Sequence, residues 1–183
     1  MARTVTAHLF HAVNGVVEAP NEWQFDAFGE AEMAALRRAI SGVTDVVMGR
    51  RLWQEWSQYW PSAQGDDEFA AFINGVRKHV VSSTLDPEPG WNSTTIAGDP
   101  VAYVRDLKAG DGGGISVVGG IETTRSLFLA GVIDELTLTT HPAVGVGRRL
   151  FDESVPVTRL ELVRGETTPV GNAMLTYRLR PRG

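Results

Sequence analysis

A chain of 183 residues, 43% hydrophobic and 21% charged, carries enough apolar material for one globular domain, spanning 1–183, with a substantial core. Its net charge of −5 argues against the broad basic surface that nucleic acid or an acidic membrane requires. With no cysteine, disulfides, thiolate catalysis and cysteine-ligated zinc are excluded together, and no apolar run is long enough to span a membrane or serve as a signal peptide. The expectation is a cytoplasmic protein.

Val5 to Val13 reads as a strand that ends in the turn signal Asn14-Gly15. Phe28, Met33, Leu36 and Ile40 then recur near helical spacing, with Gly42 as a stop. "DVVMG" at 45–49 is a short β-branched strand. Leu52, Trp53, Trp56, Tyr59 and Trp60 follow at steps of three and four before Pro61, predicting a helix with an aromatic face. Asp66-Asp67 open another helix, with Phe69, Phe72, Ile73 and Val76 on one side. The strand "HVVSS" at 79–83 leads into the loop "DPEPG", then a short strand at Thr94–Ile96 and a helix from Pro100, where proline suits the first turn.

After the flexible "GDGGG" at 110–114 comes the strand "ISVVGG", then a helix carrying Leu127, Phe128 and Val132. The strand "ELTLTTH" follows, and "VTRLELVRGE" with "AMLTYRLR" reads as a final antiparallel pair. Three of these strands echo one another. "DVVMGRR", "HVVSSTL" and "SVVGGIE" each set two valines before a turn of small or charged residues. Gly49, Ser82 and Gly119 lie 33 and 37 residues apart, a spacing that suits strand–helix–strand units. Near-continuous apolar strands alternating with helices predict a parallel sheet covered on both faces, with its ligand crevice outside the carboxyl ends of the strands.

The corners carry chemistry of their own. Gly119-Gly120 places bare N–H groups ahead of a helix, a natural seat for phosphate, although the same glycines would also serve plain strand–helix packing. Arg50-Arg51 after Gly49 adds two forked cations; the bland reading is arginine lying over the Trp53/Trp56 face. Ser82 and Ser83 at the third corner offer hydroxyls to the same anion, or satisfy their own turn. The glycine pattern is not G-x-G-x-x-G, so the dinucleotide fingerprint is absent.

The succession "VVMGRRLW", "HVVSSTL" and "SVVGGIETTRSLFLAGVIDELTLTTHPAVGVGRRLF" resembles the dihydrofolate-reductase-like superfamily, in the branch that includes the reductase domain of bacterial riboflavin biosynthesis. The likeness runs from Val5 to Tyr177. It implies a three-layer α/β fold with a mostly parallel sheet of about eight strands, C-terminal antiparallel strands, and an NADPH-dependent oxidoreductase acting on a small molecule. By that resemblance Gly49, Arg50 and Arg51, with Ser82 and Ser83, hold the adenosine-side phosphates. Gly119, Gly120, Ile121, Glu122 and Thr123 receive the diphosphate, and a cis peptide joins the paired glycines.

Phe10 through Val17 would border the nicotinamide, and Thr139 would face the substrate ring. Relatives that act in riboflavin synthesis have aspartate where this chain has Asn14. Counting back from Gly49 to the acid of dihydrofolate reductases lands on Met33, beside Glu32 and near Asp26 and Glu30, so no catalytic acid is assigned. The zinc deaminase domain of the bifunctional relatives is absent from a chain without cysteine. The resemblance also implies self-association, as a homodimer through sheet edges.

Two further sets were weighed. The four histidines lack a metal-ligand spacing; His8 and His11, three apart on a strand, point to opposite faces. Trp23, after the first turn, suits either a substrate wall or a loop anchor, whereas the Trp53–Trp60 set at helical spacing reads first as core. The expected function is hydride transfer from NADPH to a pterin- or pyrimidine-like heterocycle. The competing readings are an NADP-binding sensor or scaffold that has lost turnover, and a flavin-dependent reductase.

Overall fold

The computed structural model describes residues 2–63 and 68–180. Eight strands form one sheet: β1 (Val5–Ala12), β2 (Val43–Gly49), β3 (Arg77–Val81), β4 (Ser93–Ile96), β5 (Gly114–Val117), β6 (Glu135–His141), β7 (Leu160–Thr167) and β8 (Ala173–Leu179). Five helices lie between them: α1 (Glu30–Ile40), α2 (Arg50–Tyr59), α3 (Glu68–Gly75), α4 (Pro100–Ala109) and α5 (Ile121–Leu129). The sheet order is β4-β3-β2-β5-β1-β6-β8-β7. Its first six strands run parallel, and β8 and β7 close it as an antiparallel pair. The expected α/β architecture is the observed one, element for element within a few residues. The proposed helix opening at Asp66-Asp67 lies outside the described residues.

Adjacent valines explain the layering. Val46 and Val47 project to opposite faces of β2, as successive strand residues must, and both are fully buried. Val46 joins Met48, Val80, Trp53 of α2 and Ile73 of α3 in one core cluster. Val47 joins Val5, Ala7, Ile115, Val117, Val104 of α4 and Leu127 and Phe128 of α5 in the other. A sheet buried on both faces needs such uninterrupted β-branched runs, because neither side can tolerate an unpaired polar group. The aromatic face of α2 belongs to the first cluster: Trp56, Trp60 and Phe69 meet edge to face, and Trp53 Nε1 donates to Ser93 Oγ at 2.8 Å. Trp53 is core, Trp56, Trp60 and Phe69 pack partly buried against it, and Tyr59 is 63% exposed.

Helix ends follow local rules. Asp99 caps α4 by accepting from the Val101 N–H at 2.9 Å, with Pro100 in the first turn. Glu32 reaches back to the Gly29 N–H at 2.9 Å and fixes the start of α1. At the amino ends of the strands, buried charges are tied into one chain. Asp45 accepts from Arg3, Thr44 and His79, and the other His79 nitrogen meets the Tyr103 hydroxyl at 2.9 Å. Burial alone would raise the Asp45 pKa, but hydrogen bonds from His79, Thr44 and Arg3 outweigh it and hold the group below the usual range.

The register of β1 positions everything that follows. It pairs with β6 at seven positions, Thr6 through Ala12, but with β5 at only three, Val5 through Ala7. Past Ala7 the β1–β5 seam opens, at the place where the strand order reverses. Open α/β sheets bind their ligands at such a switch point.

Candidate functional site

Three corners meet beside this seam. Because β3, β2 and β5 are neighbours and parallel, their carboxyl ends deliver Ser82, Gly49 and Gly119 to one rim. Contact follows: a Cβ on Gly49 would stand 3.0 Å from Thr123 Oγ1, and one on Gly120 would stand 3.6 Å from the Gly49 nitrogen. Arg50 Nη1 donates to Thr84 Oγ1 at 3.3 Å and so links the second corner to the third.

Gly119 and Gly120 have φ of 51° and 70°, a region costly for residues with a Cβ, and a Cβ on Gly119 would press to 2.5 Å from Leu52 Cδ2. The corner therefore requires glycine on two counts. It does so without the expected cis bond: among the described residues every peptide is trans. Paired positive-φ glycines turn the chain sharply enough between Val118 and Ile121. Thr124, fully buried, fastens the turn by donating its hydroxyl to the Gly119 carbonyl at 2.9 Å.

No side chain caps α5, so its first N–H groups face outward with the positive end of the helix dipole behind them. Arg50 and Arg51 are exposed, and neither has a carboxylate within 4 Å among the described residues. Arg148, by contrast, is neutralised by Glu18 at 2.9 Å and Glu122 at 3.7 Å. The rim thus offers bare amides and two exposed guanidinium groups with no ion pair among the described residues, although Arg50 is bonded to Thr84 and the charge of Arg51 helps to lower the Glu18 pKa. That donor set fits phosphate oxygens.

Other expected residues have local partners. The Ser82 hydroxyl accepts from the Thr84 and Leu85 N–H groups at 3.1 and 3.2 Å, holding its own turn, while Ser83 is exposed. Asn14 is doubly bonded to the Gly145 backbone, at 2.9 and 3.1 Å, and pins the first turn to the 142–148 loop. Val17 is packed in the α4/α5 core, against which Ile121 at the start of α5 also packs. Thr139 is fully buried, with its hydroxyl 2.7 Å from His8 Nε2. Burial, with Arg38 adding to it, pushes the His8 pKa down to about 4, so this ring is neutral.

Phe10 lies apart from the phosphate corners, in a second cluster on the α1 side of the sheet. Its ring meets Phe28 and His141 edge to face, each at 5.7 Å. Trp23 is 4% exposed, stacks edgewise on His141 and donates Nε1–H to the Glu18 carbonyl at 2.9 Å. It is a loop anchor that also walls this cluster.

The sequence reading gave no role here to His141, Glu32, Gln24 or Asn172. His141 is fully buried, 3.3 Å from Gln24 through Nε2, and its Nδ1 has no hydrogen-bond partner among the described residues. Burial lowers its pKa, with Glu32 pulling the other way. Glu32 is 1% exposed and accepts from Asn172 at 2.7 Å, from Gly29, and from Thr168. Burial would raise the Glu32 pKa; the three donors together hold it lower. Its carboxylate is a fixed anion joining α1 to the β7–β8 turn. Pairs 117 and 140 residues apart leave no local signal in a sequence.

A shallow depression of about 620 Å³ lies at the opposite end of the sheet, around Thr44, Asp45, Arg77, Asn92 and Asp111. It is lined by the C-terminal end of α3, including Gly75, and by the loop residue Gly112, and among the described residues no helix begins in it. The chemistry favours the corner side.

The family model of the RibD C-terminal domain matches residues 3–174. The chain belongs to that family. A Bacillus subtilis protein, the uncharacterized YyaP, is 26% identical over 142 residues, 75% of each chain. Solved structures share the dihydrofolate-reductase-like fold. A putative riboflavin biosynthesis protein from Shewanella superposes with a TM-score of 0.72 at 19% identity, covering 99% of this chain and 100% of its own. A pyrimidine reductase-like protein from Corynebacterium diphtheriae gives 0.69 at 16%, covering 98% and 93%. A Thermotoga maritima deaminase/5-amino-6-(5-phosphoribosylamino)uracil reductase gives 0.66 at 15%, covering 98% of this chain and 57% of that longer one.

Proposed function

We propose that this RibD-family chain is an NADPH-dependent reductase that passes hydride to a small pterin- or pyrimidine-like heterocycle. The observation that carries the reading is the convergence of the Gly49-Arg50-Arg51 and Gly119-Gly120 corners on one rim, next to the opened β1–β5 seam. The reductases named among its structural relatives support the same class of reaction. Uncapped amides at the start of α5 would bind the diphosphate. Arg50 and Arg51, exposed and without an ion pair among the described residues, suit the extra 2′-phosphate that separates NADPH from NADH.

Bound NADPH supplies the hydride, and the remaining tasks fall to the chain. Phe10, Phe28 and Trp23 form an apolar wall that orients the acceptor and excludes water. Glu32, locked by three donors, holds the start of α1 as a carboxylate, and the reading assigns the proton that accompanies the hydride to no side chain among the described residues.

Titration with NADPH and with NADH, read by nicotinamide fluorescence, tests the reading. NADPH should bind, and Arg50→Ala should weaken it about tenfold, or ~1.4 kcal/mol, with little change for NADH. Absence of NADPH binding at millimolar concentration would defeat the proposal.

A further inference from the structure

Two side-chain atoms at the acceptor end are buried without a hydrogen bond among the described residues: His141 Nδ1 and Asn172 Oδ1. Both residues are 0% exposed, and they are neighbours. The β6–β8 ladder ends at Thr140↔Ala173, so its next step sets His141 opposite Asn172. One step further on, a Cβ on Gly171 would lie 3.8 Å from Pro142 Cγ, which shows that the register continues. Side chains paired in this way share a face of the sheet, with Cβ atoms about 5 Å apart. Here that face is the α1 side, where His141 meets Phe10 and Trp23 edge to face and Asn172 donates to Glu32.

The partners already made decide what is left over. Asn172 Nδ2 donates to the Ala27 carbonyl at 2.8 Å and to Glu32 at 2.7 Å. Both of those groups only accept, so the amide cannot be turned round and Oδ1 remains a free acceptor. Burial lowers the His141 pKa, and the Gln24 amide nitrogen donates to Nε2, so the neutral ring carries its proton on Nδ1. The pair therefore presents one donor beside one acceptor. Burying such a group without a partner costs about 1–3 kcal/mol, a cost that apolar side chains of the same shape would avoid. Apolar pockets use a few polar groups placed like this to fix a ligand's orientation.

We infer that His141 and Asn172 are specificity-determining residues of the acceptor site, His141 donating to a carbonyl oxygen and Asn172 accepting from the N–H beside it. The ligand edge they read is an uncharged cis-amide, and aromaticity plays no part in the match. An acceptor that lacks either group leaves a buried protein group unpaired, which discriminates far more sharply than a missing methylene. The inference rests on the reductase reading only for placing the acceptor against this wall.

The test is a titration of the full chain, labelled with ¹⁵N-histidine, with 2-piperidone and with N-methyl-2-piperidone. The first is a saturated cis-lactam; the second lacks the N–H. The wild-type His141 ring should carry its proton on Nδ1, and 2-piperidone should shift that resonance at a concentration at least about tenfold lower than its N-methyl analogue does. In His141→Phe, which keeps an aromatic ring in place, the two lactams should bind with equal affinity while the thermal midpoint holds or rises. NADP⁺, whose carboxamide offers the same edge, should leave the His141 resonance where it is. No response to 2-piperidone, an equal response to both lactams, discrimination retained in His141→Phe, or a shift caused by NADP⁺ alone would each overturn the inference. Assignment of the ring through the wild-type backbone keeps the titration decisive if the variant does not fold. Failure of NADPH to bind would instead strike the reductase reading and leave the lactam result standing.

Discussion

The two ends of the parallel sheet handle charge in opposite ways. At the amino end, Arg3, Asp45 and His79 are all at least 94% buried, and each has a partner, ending at Tyr103. At the carboxyl end, Arg50 and Arg51 stand exposed beside glycines and an uncapped helix. A satisfied network rigidifies; an unsatisfied one waits for a ligand. Residue types alone do not separate the two, since both ends carry arginine and hydroxyl groups. What separates them is whether the fold has already supplied the partner.

Breaking the closed end should have the largest effect. Asp45→Ala leaves the Arg3 guanidinium buried without its carboxylate and should cost about 3–5 kcal/mol in urea unfolding. The same variant should flatten the acid limb of stability. A carboxylate whose folded pKa is depressed stabilises above the ordinary aspartate range and loses that contribution as pH falls through the folded pKa. If the two ends are independent, NADPH affinity measured on the folded variant stays unchanged.

Next comes the open end. Gly119→Ala forces a Cβ into a positive-φ position against Leu52 and should lower stability by about 1–2 kcal/mol. Here the ligand pays more than the fold: NADPH binding should fall by tenfold or more, because the turn that aims the α5 amides is displaced. A stability loss with intact NADPH affinity would mean the glycines serve packing alone.

The smallest effect sharpens the contrast from an unexpected side. Lys78 is fully buried, with one hydrogen bond, to the Val76 carbonyl at 2.8 Å, and its ammonium 4.2 Å from the Trp91 ring centre. Burial pushes its pKa down to about 8. Below pH 8 the buried charge opposes folding; from about 8 to the unfolded value near 10.5 the folded state recovers stability as it sheds the proton. Lys78→Met should equal or exceed the wild type at pH 7 by about 1 kcal/mol, and its advantage should vanish by pH 10. Parallel unfolding curves at the two pH values check the sign.

What was legible in the sequence was local. Paired valines ahead of small residues marked β2, β3 and β5, and their parallel adjacency then placed Gly49, Ser82 and Gly119 on one rim. Glycine and arginine at those corners are the groups on which the cofactor proposal rests. The acceptor end was opaque, because Glu32, Asn172, Gln24 and His141 come from α1, the β7–β8 turn, the first loop and β6, and only the folded sheet brings them together. Hydroxyls and amides that looked available, on Ser82, Asn14 and Thr139, proved to be committed to neighbours that no local pattern announces. The trans backbone at Gly119-Gly120 was equally invisible, since two glycines permit either solution.

The outermost strand has a consequence for crowding. β7 is exposed along nearly its whole length and kinks at Val163, where the register with β8 shifts. As the longer of the sheet's two borders, it is the natural place for a foreign strand to add. The kink and the alternating Glu161, Arg164 and Glu166 discourage indiscriminate stacking there. Any chain that lengthens this sheet must match both the bend and the sequence of signs.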